Sequence, residues 1–412
     1  MAIQTAINDM PCKNLHSELK RLKIVVTAFV VACVTVWGCT SALVGVSRGA
    51  DGRWLLWKHR DSGHPDNYVR AFQATDSTMA YVGLFNAADT AAREVWIGFN
   101  EAGFAVMNTA SYNIPAPAKN WQDREGLMMT EALRHCRSLS DFHRLLLEHP
   151  GPRGVQANFG AFDAEGRGAY FETSDREVAV FPLDSLSAAV LGVEMRDNPD
   201  GCMTRTNYSL SGGSRGCLGM SRHRAEKHLL DSVTRDDREW ATAGKIAAED
   251  LIETLSRSFY LPEKGIDLLG GTAPRYRDSG DVISRRSSCA SVVIEGPLPG
   301  EDPAKTVIMW TAIGFPTLSV VEAVTLDSVP SGLLPSLPDS HSPICDYVNI
   351  LRDKAFLPVS RQPAKGKRLY DFNLDYLRRT IPLRRAESLP RYLPARHRAR
   401  IPHSDSASGL RR

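Results

Sequence analysis

Cys39 follows Gly38 at the end of an apolar run from Ile24 to Trp37, and the setting of this cysteine dominates what the chain could do chemically. An apolar run of about 14 residues behind Lys13, Lys20, Arg21 and Lys23 is short for a membrane span and suits the core of a secretory signal. Val36 and Gly38 are small enough for signal-peptidase subsites, so residues 1–38 read as a signal peptide or removed pro-segment that frees Cys39. An N-terminal cysteine carries nucleophile and base in one residue, because its α-amine titrates near ~8 and can take the thiol proton at neutral pH. The competing use of such a residue is lipidation, which would make the chain a lipid-anchored extracytoplasmic binding protein. Trp37 counts against it, standing where lipoprotein signals usually have a small residue.

A terminal nucleophile needs a carboxylate to hold the amine, amide donors for the tetrahedral oxyanion and a cation to orient the set. Asp61 can supply the first, Asn207 or Asn108 the second and Arg222 the third. The pattern from Cys39 to Ser47, the turn residues Gly49 to Gly52 and the returning run Trp54 to Asp61 predict a hairpin that brings Asp61 back near Cys39. Further hairpins are expected across Glu101-Ala102-Gly103 and Asp163 to Gly166. Helices are expected over 124–136, over 140–148 with Ser140 or Asp141 as cap, over 221–232 and over 246–256. Strands recur over 291–295, 307–313 and 319–323. Strands, then helices, then strands, without alternation, indicate an α+β sandwich and exclude a doubly wound parallel sheet.

Other chemistries find little support. There is no phosphate-binding loop, HExxH, paired CxxC or dinucleotide fingerprint, so no cofactor and no metal are expected. Gly212-Gly213-Ser214-Arg215-Gly216 matches the nucleophile-elbow pattern but follows the polar stretch Asn207 to Gly213, where that motif needs a strand. His223 and His228 are five residues apart, the wrong separation for a shared metal face. Cys202 and Cys217 are the nearest cysteine pair after Cys39 and could bridge a loop.

Cys39-Thr40, Arg60-Asp61, Gly98 to Phe104, Arg205-Thr206-Asn207-Tyr208-Ser209 and Ser221-Arg222, taken in order, resemble the N-terminal-nucleophile hydrolases of the bile salt hydrolase, penicillin V acylase and isopenicillin N acyltransferase type. The segments Arg286 to Gly296 and Met309 to Gly314 are similar to the acyltransferase branch, and the resemblance spans roughly Cys39 to Ala323. It implies a four-layer αββα sandwich with two stacked antiparallel sheets. It also implies a cysteine amidohydrolase or acyltransferase working through a thioester on Cys39. Carried over, Cys39 matches the nucleophile, Asp61 the aspartate beside it, Asn207 an oxyanion-hole asparagine and Arg222 the arginine of the Ser-Arg pair, with Asn108 alignable as a second donor only by a small shift. Lys58, where bile salt hydrolases place an arginine, and Arg60 become substrate-binding candidates. Relatives commonly have Asn where His59 stands, so bile acid specificity does not carry over.

The 412 residues, 43% hydrophobic and 24% charged, suffice for one enzyme-sized domain, expected at 39–350. From Leu351 to Arg412 there are 16 Lys and Arg against 5 Asp and Glu, so the tail carries about +11 and the rest about −8. Pro358, Pro363, Pro382, Pro390, Pro394 and Pro402 argue against a long helix there. The tail therefore reads as a partly disordered basic extension, dispensable after roughly Thr380, with weak attraction to anionic surfaces and no nucleic-acid motif. The substrate expected is a small acyl-amide or peptide, met outside the cytoplasm.

Overall fold

In the computed structural model residues 38–115, 123–149, 151–195, 199–234, 244–336, 341–359 and 369–400 are described, with side chains up to Tyr392. The expected signal or pro-segment lies, up to Trp37, outside the described residues. The chain enters through the expected hairpin, β1 (Thr40–Val44) and β2 (Leu55–Asp61), in antiparallel register with Thr40 opposite His59. It then runs as a meander of β3 (Asn67–Phe72), β4 (Tyr81–Asn86), β5 (Ile97–Asn100), β6 (Ala105–Ala110), β7 (Ala157–Phe162), β8 (Gly168–Thr173) and β9 (Val178–Pro182). Each strand pairs with the next, giving a seven-stranded antiparallel sheet. The turns at 101–103 and 163–166 sit where their Gly and Asp content places them.

Helices α1 (Glu125–His135) and α2 (Leu139–Glu148) leave this sheet between β6 and β7, and α3 (Ser185–Leu191) follows β9. The cap of α2 is Ser138 rather than Ser140. Its hydroxyl accepts from the Asp141 amide and Asp141 reaches back to the Ser138 amide, a reciprocal pairing that fixes the start two residues early. Strand β10 (Cys202–Arg205) returns to pair with β1, and α4 (Met220–Val233) follows it. A π-helical turn spans Asp250–Leu255, and the short β11 (Tyr260–Leu261), β12 (Ile266–Asp267) and β13 (Arg275–Arg277) precede β14 (Ser288–Glu295). With β15 (Ile308–Ile313) and β16 (Glu322–Val324), β14 completes a six-stranded antiparallel sheet ordered β10-β1-β2-β14-β15-β16.

Burial shows how the two sheets stack. One apolar cluster joins Leu43, Leu56, Val292 and Ile294 of the six-stranded sheet to Val82, Ile97, Phe99 and Met107 of the seven-stranded one. A second packs Val106, Phe159 and Phe171 under Met129, Leu133 and Phe142 of α1 and α2. A third packs Ala42, Trp57, Val293 and Trp310 under Ala225, Leu251 and Leu255 of α4 and the π-helical turn. Helix, sheet, sheet, helix is the expected four-layer sandwich.

The C-terminal part departs from its composition. Helix α5 (Pro343–Ala355) runs through the boundary expected at residue 350, and β17 (Phe356–Pro358) and β18 (Tyr370–Asn373) form a three-stranded sheet with β13. Helix α6 (Leu374–Arg400) continues through Pro382, Pro390 and Pro394. Each proline removes one helical hydrogen bond and costs about 3 kcal/mol in a helix interior. Docking opposes this, since Leu377, Ser388 and Tyr392 are buried and the Tyr392 ring lies 4.8 Å from that of Trp310. The segment after Thr380 therefore covers the six-stranded sheet. Tyr392→Ala is expected to lower unfolding free energy by about 3 kcal/mol, and a chain ending at Thr380 to melt below the full chain. Urea and thermal denaturation check both.

Candidate active site at Cys39

Cys39 stands at the entry to β1, partly exposed and with a free thiol. Side chains alternate along β1 and β2, which divides the neighbourhood in two. Ser41 and Lys58 point between the sheets, where the Ser41 hydroxyl meets the Tyr170 hydroxyl at 3.0 Å. Thr40, His59 and Asp61 point toward α4 and the loop before β14.

On the α4 side one guanidinium ties Cys39 to Asn207. Arg222 Nη1 donates to the Cys39 carbonyl at 2.6 Å and to Thr40 Oγ1 at 2.9 Å, while Nη2 donates to Asn207 Oδ1 at 2.6 Å. Asn207 Nδ2 donates to the Ala110 carbonyl at 2.9 Å, and an amide has a second N–H to offer. Gly219, which precedes α4, has φ +83° and lies so close to Arg222 that a Cβ would fall 2.4 Å from Nη2. Only glycine suits that approach. Burial, and next the charge of Arg285, pull the Arg222 pKa down to about 9. Glu226, one turn on, offers little compensation: it is fully buried with neither oxygen hydrogen-bonded, and burial raises its pKa well above the usual value.

Asp61 is gripped from the loop before β14 and from the first residue of that strand. Arg285 Nη2 donates to its Oδ2 at 2.7 Å and the Ser288 hydroxyl to its Oδ1 at 2.7 Å. The same Arg285 nitrogen donates to the Gly38 carbonyl. Ser288 Oγ lies 2.8 Å from His59 Nε2, so with its proton on Asp61 it accepts from the imidazole, whose pKa burial lowers to about 4. The pairing of β2 with β14 slips between Ser288 and Ala290. A bulge of this kind re-aims side chains, and here it sits beside the Ser288 contact with Asp61.

Between the sheets, Lys58 Nζ donates to the Trp96 carbonyl at 3.0 Å and to Asn108 Oδ1, and Asn108 Nδ2 donates to Glu125. Burial brings the Lys58 pKa down to about 8, and burial pushes that of Glu125 up to about 8. Asn108 thus bridges Lys58 and Glu125 through one amide N–H and its oxygen. Arg60 donates to Asn67, Asn86 and Cys289 and stacks 4.8 Å over Trp96, so its donors hold neighbouring strands.

The loop bearing Asn207 is fastened on both sides. Asn158 Nδ2 donates to the carbonyls of Thr206 and Tyr208 at 3.3 and 3.1 Å, and Glu172 accepts from the Leu210 and Ser211 amides and from Arg205. The structure thus gathers Cys39, Asp61, Asn207 and Arg222 and keeps Asn108 and Arg60 in supporting networks. Sequence reasoning missed Arg285, Ser288 and Glu125, although one of the resembling segments begins at Arg286 and contains Ser288; for Glu125 no motif gives a signal. Ser214 lies in an exposed bend with no strand before it. Cys202 and Cys217 are both free thiols rather than a bridge, with Cys217 Sγ instead donating to the Gly213 carbonyl at 3.5 Å. Among the described residues the one cluster with metal-ligand geometry, Asp66, His341 and Asp346, contains none of these side chains.

No protein-family model matches the chain, and no curated protein matches it in sequence. Solved structures do. A Caenorhabditis elegans N-acylethanolamine-hydrolyzing acid amidase ortholog aligns at 15% identity and TM-score 0.40 over 64% of this chain and 94% of its own. A mutant conjugated bile acid hydrolase from Clostridium perfringens aligns at 11% and 0.39 over 70% and 92%. Penicillin V acylase from Agrobacterium tumefaciens aligns at 13% and 0.35 over 71% and 87%.

A neutral imidazole held at His59 makes stability acid-sensitive. Its pKa is lower folded than unfolded, so its contribution is complete above about pH 6.5 and is lost as pH falls through about 4. His59→Asn, which cannot titrate, is expected to flatten the fall in unfolding free energy over that window. Urea titrations at pH 7, 5.5 and 4.5 check it.

Proposed function

We propose that the chain is an exported N-terminal-nucleophile cysteine amidohydrolase or acyltransferase, active once Cys39 is its first residue. The observation that carries this reading is the single Arg222 guanidinium bonded to both the Cys39 carbonyl and the Asn207 side chain, with Asp61 held beside them by Arg285. Cys39 sulfur attacks an amide carbonyl, the freed α-amine takes the thiol proton and passes it to the departing amine, and water or an acceptor amine releases the thioester. Asp61 orients that amine, as a carboxylate orients the base of a catalytic triad. The free N–H of Asn207 meets the oxyanion. Lys58 faces the acyl group from between the sheets, and the substrate is a small acyl-amide or peptide. The segment before Cys39 serves as signal or pro-segment, cut by signal peptidase or by the chain itself. Lipidation of Cys39 in an anchored binding protein would give the buried Arg222, Asp61 and Arg285 no task.

Cys39→Ala is expected to abolish amide turnover and Cys39→Ser to leave a small residue of it, while Ser214→Ala stays within a few-fold of the parent. Asp61→Asn should fold and lose most of its rate. Assays against a panel of acyl-amino acids and peptides, with an intact mass of the active form beginning at an unmodified Cys39, decide between nucleophile and anchor.

A further inference from the structure

We propose that Arg285 is the catalytic donor by which the chain cuts its own Gly38–Cys39 bond, distinct from Asn207, which serves turnover. This rests on the reading of Cys39 as a nucleophile. Gly38 is buried, and a Cβ on it would fall 2.1 Å from Asn207 Oδ1 and 2.8 Å from Arg222 Nη2. Burial of Gly38 favours cutting before folding or from within the folded chain.

The carbonyl that would have to be attacked already has an electrophile on it. Arg285 Nη2 donates to the Gly38 oxygen and to Asp61 Oδ2. The rest of the guanidinium is locked by its own loop, Nη1 on the Gly280 carbonyl at 2.8 Å and Nε on Ser287 Oγ at 3.1 Å. Arg285 is 6% exposed. A donor fixed in advance in a water-poor site gains strength as charge develops on the oxygen and needs no reorganisation. Arg222 holds the next carbonyl, that of Cys39, so both peptide groups flanking the cysteine are clamped.

The step balances within the chain and one water. Cys39 Sγ forms a bond to the Gly38 carbonyl carbon, and the carbonyl electron pair moves to the oxygen under Arg285 Nη2. Collapse breaks the bond to the Cys39 nitrogen, which ends with the thiol proton and becomes the free amine. Water then hydrolyses the thioester, leaving a Gly38 carboxylate and a free Cys39 thiol.

The test is to synthesise the full chain in a translation system without membranes or signal peptidase and to follow the new N-terminus by intact mass. The parent is expected to acquire a Cys39 terminus, and Cys39→Ala to remain uncut. Arg285→Gln should cut about 100–1,000-fold more slowly, the usual loss for one oxyanion donor. Arg285→Lys should recover part of that loss, and hydroxylamine, which intercepts a thioester, should not rescue Arg285→Gln. Gly38→Ala, which leaves Arg285 in place and displaces the carbonyl, should also slow cutting, which separates loss of the donor from loss of the fold. Parental cutting by Arg285→Gln with Cys39→Ala uncut overturns the role of Arg285 alone, as does rescue of Arg285→Gln by hydroxylamine or parental cutting by Gly38→Ala. Cutting of Cys39→Ala, or no cutting of the parent, overturns self-cleavage itself and leaves amide turnover by Cys39 to be judged by its own assays.

Discussion

Two buried guanidiniums, Arg222 and Arg285, hold the carbonyls on either side of one cysteine, and the Asp61 carboxylate sits against the second of them. Like charges so close are costly out of water: burial first, and next the charge of Arg285, hold the Arg222 pKa down. Glu226 is placed to offset it, but burial keeps that side chain toward its neutral form. The surrounding fold has to keep this cluster together against its own repulsion. The sheet register, the glycine before α4 and the bulge in β14 are the means.

Each of these devices acts on a different part of the cluster. The β1–β2 register places Asp61 beside the strand that begins at Cys39. Gly219 lets α4 start close enough for Arg222 to reach back to the Cys39 carbonyl. The irregular pairing at Ser288 turns a hydroxyl onto Asp61. Asn158, fixed in a central strand, ties down both neighbours of Asn207. The Cys39 neighbourhood thus depends on both sheets, and the Lys58–Asn108–Glu125 network joins them under it.

The hairpins, and with them the closeness of Cys39 and Asp61, were legible because apolar alternation and turn residues are local signals. Asn207 and Arg222 were legible only through short motifs. Arg285 was not, since a Ser/Arg-rich loop looks like solvated surface until its long-range partners, Gly38 and Asp61, are known. Asn108 shows the same limit: nothing local in the sequence signals that its amide joins Lys58 to Glu125, a residue seventeen positions away on α1. The tail misled through composition. Pro382, Pro390, Arg379 and Arg391 lie on the exposed face of α6, whereas Leu377, Ser388 and Tyr392 mark the buried one at wide spacing.

The central claim, that Cys39 carries the acyl group, is tested most directly by acid-quenching the enzyme during turnover of an acyl-amide and measuring the mass of the peptide that begins at Cys39. A mass increase equal to the acyl group, confined to that peptide and removed by hydroxylamine, is the result expected of a thioester on the terminal cysteine. An adduct on the peptide containing Ser214, or undiminished turnover after the Cys39 thiol has been fully alkylated, would contradict it.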